Sequence, residues 1–303
     1  MNSKQNWKIG LTLSLVTVFF WATLAVALDI GMKVLDEWTL TWFRFFIAAI
    51  FTSLILTKGG HWKAYKNLSK SEWLWLLLAA VMLIANYVLF MVGMNKTTPG
   101  NAQVLIQLAP LLMTLGGVVF YKETFSRMQQ LGVLLLIVGL VLFFNEQLNL
   151  LLSSDYIHGV VIIVFAAITW AVYALIQKKL LNVLTPQSIL AVIYILATFV
   201  LLPLTAPEKL LQLNSNQWIA VGYAALNTVG AYGAFAEALK HWQASRVGMV
   251  IALTPVFTFF FISLMASLFP NMVEAENIQQ LGWIGVILIV TGSMFASLGK
   301  DKS

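Results

Sequence analysis

The stretch IGLTLSLVTVFFWATLAVAL, Ile9 to Leu28, runs its whole length without an ionisable side chain. At a rise of 1.5 Å per helical residue, about 20 residues cover the roughly 30 Å of a bilayer's hydrocarbon core. Nine further apolar stretches follow: Trp38 to Thr57, Trp73 to Met94, Pro99 to Phe120, Met128 to Asn145, Tyr156 to Ile176, Gln187 to Leu204, Gln217 to Leu239, Val247 to Phe269 and Leu281 to Leu298. Each is continuously apolar, whereas a membrane-barrel strand alternates apolar and polar residues. Backbone groups in lipid must pair within the segment, so the runs predict an all-α membrane protein with ten transmembrane helices. Hydrophobic residues make up 60% of the 303 and charged residues 10%, which leaves almost nothing for a soluble domain.

The charges alternate between loops. Lys4, Lys8, Lys58, Lys63, Lys66, Lys70, Lys122, Arg127, Lys178, Lys179, Lys240, Arg246, Lys300 and Lys302 fall on one side of the predicted bundle. The other side holds Lys33, Lys96 and Lys209 with most of the acids: Asp29, Asp36, Glu37, Glu146, Asp155, Glu208, Glu274 and Glu276. Short basic loops stay in the cytoplasm, so both termini are expected there. The net charge of +6 is spread over several loops with no dense basic run. It therefore predicts contact with the headgroups of a lipid bilayer and no nucleic-acid partner. Lys4 and Lys8 before an apolar run ending in Ala25-Val26-Ala27 imitate a cleavable signal, but the run is longer than a usual signal core. Without cysteine, no disulfide or thiolate metal site can form.

The chain repeats itself. A shift of 145 residues places Tyr87, Phe90, Ile106, Leu108 and Pro110 on Tyr232, Phe235, Ile251, Leu253 and Pro255 without a gap. Trp21-Ala22 answers to Trp170-Ala171, and Gln129-Gln130-Leu131-Gly132 to Gln279-Gln280-Leu281-Gly282. Residues 1–150 and 151–303 thus read as two five-helix copies. An odd number of helices per copy sends the second copy into the membrane from the opposite side, the inverted repeat of many secondary transporters. Pro110 and Pro255 each remove an intrahelical hydrogen bond near the middle of equivalent spans, which predicts a kink serving either as a static bend or as a hinge.

Phe20-Trp21-Ala22, Arg44 in Trp42-Phe43-Arg44-Phe45, Leu108-Ala109-Pro110-Leu111, Tyr121-Lys122-Glu123-Thr124 and Gln130-Leu131-Gly132 follow one another in the first half. With Phe235-Ala236-Glu237-Ala238-Leu239 and Leu253-Thr254-Pro255-Val256 in the second, the chain resembles the EamA family of the drug/metabolite transporter superfamily. It departs at Ser267 to Asn271 and Glu274 to Asn277, which replace the shorter acidic turn at Glu123, so that loop is expected to be specialised. The resemblance implies a bacterial inner-membrane carrier with a central cavity between the first, third, fourth, sixth, eighth and ninth helices. It also implies export of amino acids, other metabolites or drugs.

Polar residues inside a membrane usually face the bundle interior. Gln103, Gln107, Pro110 and Thr114 share one face of the fourth span, and Tyr223, Asn227, Gly230, Ala234 and Glu237 one face of the eighth. They line the cavity or join helices by hydrogen bonds. Trp21 and Trp170 take equivalent places, as do Tyr87 and Tyr232, with Asn86 and Tyr173 close in sequence. Such an aromatic lining suits a neutral or cationic small-molecule substrate better than a highly charged anion. Trp38, Trp62, Trp73, Trp75, Trp218 and Trp242 sit near span ends as an interfacial belt. Gly132, Gly139, Gly282, Gly285 and Gly292 in the fifth and tenth spans read as packing surfaces.

Two charges stand inside spans. Arg44, about 9 Å below one interface, either snorkels outward or reaches the cavity and closes its external side. Glu237 is the one span carboxylate, expected to pair with Lys240 or to gate the cytoplasmic side and couple protons.

Enzyme signatures are absent. No phosphate-binding loop ends in Lys-Ser or Lys-Thr, and no Gly-x-Ser-x-Gly elbow occurs. His61, His158 and His241 are isolated, and no carboxylate pair is expected at one membrane depth, so neither a metal nor another cofactor is expected. The leading expectation is a secondary transporter exporting a small metabolite, such as an amino acid or related amphipathic compound, by alternating access. A broad-specificity drug efflux carrier and an integral-membrane enzyme are the alternatives. Substrate identity and oligomeric state are not encoded in any motif.

Overall fold

The computed structural model describes residues 6–59, 61–121, 125–145, 153–242, 244–276 and 278–297. Lys4, Lys122, Glu123, Thr124, Glu146, Asn277, Leu298, Lys300 and Lys302, and the side chains of His61, Thr114, Tyr121, Ala236, Leu239, Lys240 and Arg246, lie outside the described residues.

Among the described residues every regular element is helical. The first half contains α1 (Trp7–Met32), α2 (Glu37–Gly59), α3 (Lys70–Lys96), α4 (Pro99–Leu105), α5 (Leu108–Tyr121) and α6 (Arg127–Asn145). The second contains α7 (Ser154–Leu180), α8 (Pro186–Leu201), α9 (Ser215–His241), α10 (Ala244–Ile251), α11 (Thr254–Leu268) and α12 (Gln280–Ser297). Among the described residues seven helical segments are long and apolar enough to cross a membrane. Val119 (70% exposed) and Phe120 (75%) illustrate the outer surface, apolar where a soluble protein would be charged. The chain is a multi-pass, all-helical membrane protein.

Local chemistry sets the helix starts. Ser69 and Glu72 form a capping box at α3, and Asn214 and Gln217 another at α9. Thr98-Pro99 and Thr185-Pro186 open α4 and α8, with the hydroxyl accepting a backbone N–H and proline placed where that donor is dispensable.

The fourth and ninth spans are not the continuous kinked helices expected. The first breaks at Ile106 and Gln107, between α4 and α5, and the second at Ala252 and Leu253, between α10 and α11. The carbonyls that the missing N–H groups of Pro110 and Pro255 would have bonded are those of Ile106, in the first break, and Ile251, just before the second. Ala109 N–H bonds the Ile106 carbonyl at 2.9 Å in a tighter turn, and the Thr254 hydroxyl bonds that of Ile251 at 2.6 Å.

Packing runs across the halves. α1 lies along α9, α3 along α7, α2 along α8 and α6 along α12. Exchanging the halves turns α1–α9 into α7–α3, α5–α7 into α11–α1, and α2–α9 into α8–α3, and all of these are packed pairs. A Cβ on Gly10 would strike Trp242 and one on Gly31 would meet Val221, so α1 and α9 are antiparallel. Lys96 pairs with Asp155 at 3.4 Å, and Lys179 stacks over Trp75 at 4.2 Å, so α3 and α7 are antiparallel too. One end of the bundle therefore gathers Asp29, Lys33, Asp36, Asp155, Lys209 and Glu276, and the opposite end Lys70, Lys178 and Lys179.

The glycines of α6 and α12 bring two backbones together. A Cβ on Gly292 would stand 2.6 Å from the Gly132 carbonyl oxygen, and one on Gly285 would stand 2.7 Å from that of Gly139. No larger residue allows this approach. Leu136, Phe143, Val286 and Ile289 fill the core beside it.

Candidate functional site

The central feature begins with Arg44 on α2, which does not snorkel. It is 3% exposed, donates its Nε–H to the Thr228 hydroxyl of α9 at 3.2 Å, and lays its guanidinium over the Tyr87 ring at 4.8 Å. Tyr87 stacks on Tyr232 with ring centroids 6.3 Å apart, and Trp21 meets Tyr232 edge-on at 5.8 Å. The Tyr87 hydroxyl and the Trp170 indole lie within hydrogen-bonding reach of the Tyr232 hydroxyl. Phe45 packs on both Tyr87 and Tyr194. Thus α1, α2, α3, α7, α8 and α9 all contribute to one cluster. Trp21, Trp170 and Tyr232 are only partly buried.

Trp21, Arg44, Tyr87, Trp170 and Tyr232, all expected on the substrate pathway, are brought together. Tyr173 joins them, buried with its hydroxyl unpaired among the described residues. Tyr194, Thr228 and Phe45 were missed by the sequence reading. The available signal was slight: Tyr194 is a lone polar aromatic within an aliphatic run, and Thr228 directly follows Asn227.

The amides act between helices. Asn86 on α3 donates to the Ala166 carbonyl of α7 at 2.9 Å, and Asn227 on α9 donates to the Phe20 carbonyl of α1 at 2.6 Å. These are the two helix pairs related by exchange of the halves, and each is tied by an asparagine. Gln107, at the α4–α5 break, accepts from Ser293 of α12 at 3.2 Å, while Gln103 is buried on α4. Pro110 and Pro255 each stand in the first turn after their break.

Glu237 contacts His241 at 3.4 Å, one turn along α9, and the side chain of Lys240, its expected partner, lies outside the described residues.

Asp29, in the last turn of α1, stands at the acidic end of the bundle. With Glu274, Glu276 and Lys33 it lines a cavity of ≈ 740 Å³ at the acidic end, between α1, α3, α4 and the segment before α12. Lys33 is held by the Met272 carbonyl at 2.6 Å. Glu276 accepts the Gly100 N–H and the Thr98 hydroxyl, both at 2.8 Å. Burial pushes its carboxyl up from the usual range, the two hydrogen bonds oppose this, and the Asp29 charge adds to it. The segment before α12 thus carries a carboxylate that caps α4. Among the described residues no group of three His, Asp or Glu side chains could hold a metal ion.

The EamA-like transporter family matches residues 8–145 and again 157–298. The chain belongs to this family. It is 35% identical to the inner membrane transporter YhbE of Escherichia coli K12, over 98% of this chain and 93% of that one. A transporter of Haemophilus influenzae is 31% identical over 98% and 97% of the two chains, and one of Archaeoglobus fulgidus 29% identical over 86% and 89%. A crystal structure at 17% identity superposes with a TM-score of 0.67, covering 95% of this chain and 97% of that one, and shares the fold.

Proposed function

We propose that the protein is a secondary carrier of the bacterial inner membrane that exports a small metabolite, such as an amino acid or related amphipathic compound. Its ten spans form two inverted five-span repeats, residues 1–150 and 151–303, with both termini in the cytoplasm. The observation that carries this reading is the exchange of packed pairs between the halves, together with the antiparallel α1–α9 and α3–α7 pairs. Repeats related in this way present one cavity that rocking opens to either side in turn. The breaks before Pro110 and Pro255 give the bundle two places to bend without melting a long helix.

The chemistry is binding and release. Trp21, Trp170 and Tyr232 offer aromatic faces to the substrate, and Tyr87 holds Arg44, which fixes polar groups beside them. Asn86, Asn227 and Gln107 hold the helices that move.

Metabolite profiles of cells and medium, with and without overexpression, test direction and substrate class together. Export predicts one compound class falling inside and rising outside; identical profiles oppose the reading. Reporters fused after Lys63 and Lys178 should read as cytoplasmic, and those after Asp36 and Glu274 as periplasmic. A periplasmic signal at Lys178 would remove the inverted repeat.

A further inference from the structure

Among the described residues the Arg44 guanidinium makes one hydrogen bond, to the Thr228 hydroxyl, and has four further N–H donors. No carboxylate stands within ion-pair distance of it among the described residues, and the titratable groups around it are Tyr87, Tyr194 and Tyr232. The hydroxyls of Tyr173 and Tyr194 are buried with no partner among the described residues. A charge buried without a counter-ion is costly, and an apolar residue of similar volume would serve packing alone better. The guanidinium carbon lies 4.8 Å from the Tyr87 ring centroid, and a planar guanidinium fork is a shape that takes two oxygens of one carboxylate.

We propose that Arg44 anchors a carboxylate of the transported molecule, with neighbouring tyrosine hydroxyls as additional donors and the apolar body of that molecule against Trp21, Trp170 and Tyr232. One fixed positive charge matches one carboxylate and disfavours a dianion, which would leave a second buried charge unpaired. The aromatic faces also accept an ammonium group, so an α-amino acid fits both parts of the cluster. This inference rests on the transport reading above and adds the substrate's chemical class and the residue that selects it.

The test uses the full-length protein in liposomes loaded with tritiated L-amino acids and short monocarboxylates, each run beside its amide. Efflux of at least one acid, with its amide slower by roughly tenfold or more, is expected. Arg44→Lys should reduce that preference, because it keeps the charge and loses the fork. Acids, and not amides, should raise the melting temperature of the purified parent protein, a readout that does not depend on a variant folding. Equal movement of acids and amides, or full selectivity and rate in Arg44→Lys, overturns the proposal. Movement of none of these probes, with altered metabolite profiles in cells, also overturns it while leaving the carrier reading standing. Liposomes that move nothing, with unaltered profiles, remove both.

Discussion

The Glu276 carboxylate accepts the Gly100 N–H at 2.8 Å and so fastens the segment before α12 to the first turn of α4, joining the two halves at the acidic end. Burial, reinforced by Asp29, makes this carboxyl hold its proton more tightly folded than unfolded. The folded state then binds more protons between the ordinary glutamate value and the raised one, so stability falls as pH rises through that window and is flat below it. Glu276→Gln keeps the acceptor without the charge, and its melting temperature should change less with pH than the parent's. Glu276→Ala loses the cap at every pH, at a cost of about 1 kcal/mol. Melts across that window check this; an unchanged slope in Glu276→Gln assigns the titration to another group.

Glycines in this chain separate into two kinds. At Gly292 a side chain would enter the Gly132 carbonyl, whereas at Gly222 a Cβ meets nothing within 4 Å. Gly292→Val should therefore destabilise the α6–α12 pair by about 3 kcal/mol or more. Gly222→Ala should be neutral or stabilise its helix by up to about 1 kcal/mol. Thermal melts and size-exclusion profiles of the two variants distinguish them, and similar losses in both would contradict the assigned close approach.

Much of this was legible because a bilayer enforces few choices. The length of Ile9 to Leu28 dictates a helix wherever the run sits, and the spacing of Gly132 and Gly139 marks a helix surface. Trp21, Tyr87 and Tyr232 could be paired because the halves repeat. Three features lay beyond this. Tyr194 and Thr228 are ordinary residues until the halves pack and bring them to Arg44. The breaks stand ahead of Pro110 and Pro255, in or beside the residue whose carbonyl proline cannot bond. Asp29 and Glu276 are far apart in sequence and meet only because the segment before α12 folds over α4.

The broken spans make opposite predictions for stability and transport. Pro110→Ala and Pro255→Ala restore an N–H opposite the Ile106 and Ile251 carbonyls and allow continuous helices. Removing proline from a helix interior is worth up to about 3 kcal/mol in isolation, less where the bundle already fits the bend. The double variant should melt at or above the parent's temperature and transport several-fold more slowly. Parent-like transport would make the breaks static bends.

Glu237 and Asp29 are carboxylates at opposite ends of the antiparallel α1–α9 pair, so a proton-coupled cycle has a candidate on each side. Glu237 faces His241 at 3.4 Å, a contact whose charge depends on the imidazole proton. Asp29 faces the cavity shared with Glu274, Glu276 and Lys33. If Glu237 trades its contact for water or substrate as the bundle rocks, removing its charge uncouples the proton gradient without blocking the path. Glu237→Gln in proteoliposomes should then lose pH-gradient-driven accumulation and keep exchange down a substrate gradient. Asp29→Asn should retain that accumulation. Uphill transport unchanged in Glu237→Gln and lost in Asp29→Asn would move coupling to the acidic end, and a parent protein indifferent to the gradient would make the carrier a uniporter.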